Sequence, residues 1–168
     1  MIFKCLFMPA LFAVPLLTSA QASGINGCIT GQWRADIEQV ANTYWQQMNM
    51  NDVQADGSVQ MNITIFGEAT ISINNLAFYI ELEGEDPFSI TMDGQIIYDI
   101  SSYDDIIVYS AKTYGHTATA IYGGELIDVE LDATNRLFNS GEAKYRCTAT
   151  ELTFANTDMP GHWIRLPE

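Results

Sequence analysis

Two histidines, three cysteines and several evenly spaced carboxylates are the groups in this 168-residue chain whose types could support chemistry. His116 stands in Tyr114-Gly115-His116-Thr117, read as a turn entering a strand, and His162 follows Pro160-Gly161. Neither sits in a nucleophile or metal motif, and both are read as surface residues. There is no serine on a Gly-x-Ser-x-Gly elbow, so nucleophilic hydrolysis has no sequence support and a non-enzymatic role is expected. Glu81, Glu83 and Glu85 alternate, as do Asp128, Glu130 and Asp132, which places each set on one solvated strand face. Calcium wants six to eight oxygens from turns rather than a flat ladder, so no metal, cofactor or catalytic residue is assigned. Asn62-Ile63-Thr64 matches a glycosylation acceptor but lies inside a strand pattern and receives no role.

The cysteines take their meaning from the N-terminus. Met1–Ala22 carries one Lys4, an apolar run Cys5–Leu17 and Ala20-Gln21-Ala22 before Ser23, the three parts of a secretory signal peptide. The run is too short to span a bilayer and contains Pro9 and Pro15, and no later stretch reaches the required length. Residues 1–22 are therefore read as a cleaved signal and 23–168 as a single domain, secreted or periplasmic. Cleavage removes Cys5, and the remaining pair reads as one disulfide, Cys28 to Cys147. Two thiolates without clustered histidines fall short of the four close ligands of a structural zinc site.

The charge balance limits partners. Seven basic against 21 acidic residues give a formal net charge of −14, which opposes nucleic acid and anionic lipid surfaces and favours solubility after export.

The elements that would carry these groups follow from periodicity. Asp36 to about Met48 places Ile37, Val40, Ala41, Tyr44 and Met48 on one helical face, with Asp36 as cap. Beyond Gly57 the chain alternates with period two: Val59, Met61, Ile63 and Ile65; Ala69, Ile71 and Ile73; Leu76, Phe78, Ile80 and Leu82; Phe88, Ile90 and Met92. Gly67, Asn74-Asn75, Gly84 to Pro87 and Asp93-Gly94 read as turns, the last as a two-residue hairpin. With the strands read from 95–100 onward the count reaches about nine or ten, and an all-β, antiparallel up-and-down barrel solves the edge problem of so long a meander.

Cys28-Ile29-Thr30-Gly31-Gln32-Trp33, taken with Tyr145-Arg146-Cys147 and Leu152-Thr153-Phe154, resembles the lipocalin-like (calycin) group, in particular secreted bacterial β-barrel proteins. The resemblance implies that Trp33 packs at the closed end of the barrel beneath a basic side chain from a late strand, with Arg146 or Arg165 as partner. One N-terminal helix after the first strand departs from both the later helix of typical lipocalins and the helical pair of fatty-acid-binding proteins. The implied function is binding of a small lipophilic molecule in the barrel interior. Its expected wall is Ile63, Ile65, Ile71, Ile73, Phe78, Ile80, Leu82, Phe88 and Ile90. The alternative is a barrel with a packed core that acts as a protein-interaction module of the envelope or exterior.

Overall fold

Alternating apolar and polar residues build nine strands and one helix in a computed structural model, which describes residues 24–46, 53–81, 84, 86–129, 140–155 and 159–167. In chain order these are β1 (Gly31–Ala35), α1 (Ile37–Gln46), β2 (Val53–Ile63), β3 (Glu68–Ile80), β4 (Phe88–Tyr103), β5 (Ile106–Tyr122), β6 (Glu125–Val129), β7 (Gly141–Cys147), β8 (Glu151–Ala155) and β9 (His162–Arg165). Every pairing is antiparallel. The ring β1-β2-β3-β4-β5-β7-β8-β9 closes where β9 returns to β1, Trp33 opposite Arg165, giving an eight-stranded barrel with one short helix after its first strand. β6 lies outside this ring, paired to Ala118–Tyr122 of β5, whereas β7 pairs to Ile106–Tyr109 of the same strand.

Strand length divides the barrel in two. β2 to β5 run for 11 to 17 residues while β1, β7, β8 and β9 have 4 to 7. All eight strands enclose the lower half, at the end where β1 begins. The upper half is a curved sheet of β2 to β5 extended by β6.

A line of irregular residues marks the join. Asp56 to Ser58 and Ile73 to Leu76 carry facing register shifts, with Asn75 at φ 44°. Gly57 has φ +98°, and a Cβ there would lie 2.2 Å from the Asn75 carbonyl oxygen. The Asn75 amide donates to the Asp93 carboxylate at 2.7 Å. Gly94, at φ +131°, pairs with Ile73 on one side and His116 on the other, and a Cβ there would lie 2.3 Å from the Gly115 carbonyl oxygen. Bulges and close-packed glycines let a long sheet coil without breaking its ladders.

The sequence expectations at these points are corrected accordingly. Asp93-Gly94 is not a hairpin, because β4 runs through it, and Asn74-Asn75 is a bulge within β3 rather than a turn. His116 likewise lies within β5 and not in a turn entering a strand. At Asn75 and Gly94 residues that favour positive φ serve a bend, whose local backbone needs resemble those of a turn.

α1 starts where expected. The Asp36 carboxylate accepts hydrogen bonds from the amides of Glu38 and Gln39, at 3.1 and 3.3 Å, while its own amide donates to the His162 carbonyl at 3.0 Å. Val40 and Ala41 are buried, and the helix packs on β2 where that strand extends past β1. The Tyr44 side chain and Met48 lie outside the described residues.

Candidate functional site

The closed end is built first, because it fixes which part of the interior remains for a ligand. Trp33 is fully buried and its indole donates to the Ile29 carbonyl at 2.8 Å. The Arg165 guanidinium lies 4.0 Å above the ring centroid. It donates from Nε to the Ala149 carbonyl and from Nη1 to the Thr30 carbonyl, both at 2.8 Å, and from Nη2 to the Cys28 carbonyl. One side chain thus joins β9, the segment before β1 and the turn between β7 and β8. Of the two arginines the resemblance allowed, Arg165 takes the role; Arg146 is exposed on β7, because its place in the alternation points it outward.

Gly31 has a physical requirement here. Its φ is +113°, and a Cβ would stand 2.8 Å from Arg165 Nη1. Cys28 and Cys147 form a disulfide with Cα atoms 6.0 Å apart, tying the chain before β1 to the end of β7. Trp163, also fully buried, donates its indole proton to the Pro160 carbonyl at 2.8 Å.

The expected wall residues fall into three groups. Ile63 and Ile71 are buried in the lower half with Met61, Tyr98, Tyr109, Phe154 and Met159, and the void among them is about 10 Å³. That is room for at most one water. Ile73 is buried at the bend, and Phe78 and Ile80 are buried above it on β3. Phe88 and Ile90 face the same way on β4 but are only partly buried, packed against the core, with Phe88 edge-on to Tyr122 at 6.5 Å. Ile65 is corrected: it is 69% exposed in the β2–β3 turn, because the backbone reverses from Thr64, whose amide donates to the Glu68 carbonyl at 2.8 Å. Leu82 lies outside the described residues.

Sequence reasoning omitted the inner face of β5. Ala118 and Ala120 are buried there, opposite Met92 and Ile90. The strict alternation Thr117-Ala118-Thr119-Ala120 carried the signal, but alanines do not announce themselves as a wall.

The remaining polar groups do other work. His162 lies between Asp36 and Glu151, 3.7 Å from each, linking the start of α1 to β8 and β9; its side chain is 23% exposed. His116, expected at the surface, faces inward on β5 with its ring 6.0 Å from that of Tyr114. Lys112 pairs with Asp99 at 3.0 Å and lies 3.9 Å from Glu68. The hydrogen bond to Asp99, its charge and that of Glu68 raise the amine above its ordinary 10.5. Glu81 is exposed; Glu83, Glu85, Glu130, Asp132 and the Asp128 side chain lie outside the description. Among the described residues no group of three or more His, Cys, Asp or Glu is arranged to hold a metal ion, and no helix is long and apolar enough to cross a membrane.

Two open grooves flank α1, one lined by Arg34, Asp36, Glu38 and Ile164 and the other by Glu38, Asn42, Gln54 and Ala55. Their charged and amide rims suit water better than an apolar guest. The closed eight-stranded antiparallel barrel is consistent with a lipocalin-like fold, and no protein-family model, curated protein or solved structure matches the chain.

Proposed function

We propose that the protein is an exported, non-enzymatic lipocalin-like barrel that binds a small lipophilic molecule in its upper half. The lower half is a packed base and the guest lies above the bend, against Phe78, Ile80, Phe88 and Ile90. The observation that carries this reading lies on β4: the inward-facing Phe88 and Ile90 keep exposed surface where β1, β7, β8 and β9 no longer close the ring. Their β3 neighbours Phe78 and Ile80 are as buried as Ile63 and Ile71, which are sealed around a void of about 10 Å³. Apolar surface that stays wet gains free energy when a ligand covers it, at roughly 25 cal/mol per Å². The disulfide and the signal-like N-terminus support export.

A second reading is favoured by the small void itself: a barrel packed throughout that acts through its outer surface. Native mass spectrometry without detergent, followed by titration with a fatty-acid panel and an environment-sensitive dye, separates the two. Saturable binding that Phe88→Asp removes while leaving the fold intact supports the carrier. Phe78→Asp is expected to unfold the protein under either reading, because that ring is 1% exposed. No bound species and no saturable dye binding in the wild type would leave the packed module as the better account.

A further inference from the structure

The exposed apolar surface that begins on Phe88 and Ile90 continues across β5 onto β6. Directly opposed residues of an antiparallel pair share one face of the sheet, so each inward row can be followed by its register. One row runs Phe78, Ile90, Ala120 and Ile127. The next, nearer the upper rim, runs Ile80, Phe88, Tyr122 and Glu125. Ile127 is 47% and Tyr122 40% exposed. β6 therefore lengthens the upper wall, and it ends the outer row in a carboxylate rather than a hydrocarbon.

A second carboxylate stands at the same corner. Asp86 is exposed two residues before Phe88, and its Oδ2 lies 3.1 Å from where a Cβ on Gly123 would stand. Gly123 follows Tyr122, whose ring meets that of Phe88 edge-on at 6.5 Å. The aromatic pair is thus bracketed by Asp86 at the β5–β6 turn and by Glu125 across the ladder. Among the described residues of the upper half, 53–57, 75–81, 86–93 and 117–129 contain no lysine or arginine. Lys112 of β5 lies on the other side of the bend, against Asp99 at 3.0 Å. The corner thus offers negative charge beside a wet aromatic surface, and no basic side chain of these strands complements it.

We propose, on the reading of the upper half as a lipophile site, that its guest is a lipophilic cation: an alkylammonium or similar amine-bearing amphiphile whose chain lies along Ile90, Ala120 and Ile127 and whose charged group sits between Asp86 and Glu125. Three contributions act in the same direction. The apolar rows cover the hydrocarbon, the aromatic rings attract a cation held over them, and the two carboxylates draw it in at a rim where it keeps part of its water. The carboxylate of a fatty acid meets the same corner with like charge, so it binds more weakly than an amine of equal length.

The test is equilibrium dialysis of octylammonium, octanol and octanoate, each as monomer at neutral pH and one ionic strength, against the disulfide-bonded protein. Octylammonium binds about tenfold more tightly than octanol, and octanoate more weakly than either. Asp86→Asn with Glu125→Gln brings octylammonium to within about twofold of octanol and leaves the affinity for octanol as in wild type. Asp104→Asn with Asp105→Asn, exposed in the β4–β5 turn at the other end of β5, removes the same charge and keeps the preference, which separates the corner from the net charge of −14. Failure of all three compounds to bind overturns the lipophile site and the cation together. Octanol binding without a preference for octylammonium, or a preference that survives Asp86→Asn with Glu125→Gln, overturns the cation alone.

Discussion

Replacing Arg165 with alanine removes the only side chain that touches Trp33, the segment before β1 and the β7–β8 turn together among the interactions described. A cation over an indole contributes about 0.5 to 2 kcal/mol, depending on its desolvation. Each hydrogen bond from a charged group contributes about 1.5 to 3 kcal/mol. Water can reach the Ala149 carbonyl once the guanidinium is gone, since that residue is exposed, which offsets part of the loss. The net expectation is destabilisation of about 3 kcal/mol. Lysine retains the charge but cannot serve three carbonyls from one planar fork, so Arg165→Lys falls between alanine and wild type. Arg146→Ala, at an exposed position, changes stability by about 0.5 kcal/mol or less. Urea denaturation of the disulfide-bonded protein, followed by tryptophan fluorescence, reads all three. An Arg165→Ala midpoint equal to wild type, or an Arg146→Ala variant as damaged as Arg165→Ala, would refute the assignment of the guanidinium over Trp33.

Three further outcomes follow from the bend, the crosslink and the surface lysine. Gly94→Ala should cost about 2 to 3 kcal/mol, from its positive φ and the Gly115 carbonyl 2.3 Å from the new Cβ; Gly124→Ala, with nothing within 4 Å, should cost about 1 kcal/mol, and equal losses would mean that the close approach at the bend is not real. Removing the bridge as Cys28→Ser with Cys147→Ser should lower stability by about 4 to 5 kcal/mol through a freer unfolded chain, read as a fall in thermal midpoint, and an unchanged midpoint would deny the crosslink any role in stability. The folded Lys112 amine holds its proton more tightly than an unfolded lysine at 10.5, so its extra stability is complete below 10.5 and disappears as pH rises through the folded value. Wild type should therefore lose more stability than Lys112→Met over that alkaline window, and parallel losses would show that the Asp99 contact does not hold in solution.

Much of the framework was legible in the residues. The Asp36 cap and the apolar face of α1, the Cys28–Cys147 pair and the alternation of the strands are local or arithmetic signals, and the structure contains each of them. The bend was misread because asparagine and glycine favour positive φ in bulges as they do in turns. A discriminating signal was nonetheless present in the phase of the alternation. Phe88, Ile90, Met92, Ile96 and Tyr98 stay in phase across Asp93-Gly94, as one uninterrupted strand requires, whereas Ile73 to Leu76 slips by one residue, as a bulge requires. Ile65 kept the phase of β2 but lies past its end, because phase says nothing about where a strand stops. Strand lengths decided the rest: short β1 and β7 pair with only part of β2 and β5, and β8 and β9 complete the ring between them, so the eight strands close around one end of the long strands only, and that depends on contacts far apart in the chain.

The location of the guest is the point on which the functional reading stands, and isoleucine-methyl NMR during titration with a fatty acid tests it most directly. Binding in the upper half shifts the methyl signals of Ile80 and Ile90 in a saturable manner and leaves those of Ile63 and Ile71, packed around a void of about 10 Å³, unmoved. Perturbation centred on Ile63 and Ile71, or no change at any of the four at saturating ligand, would contradict it.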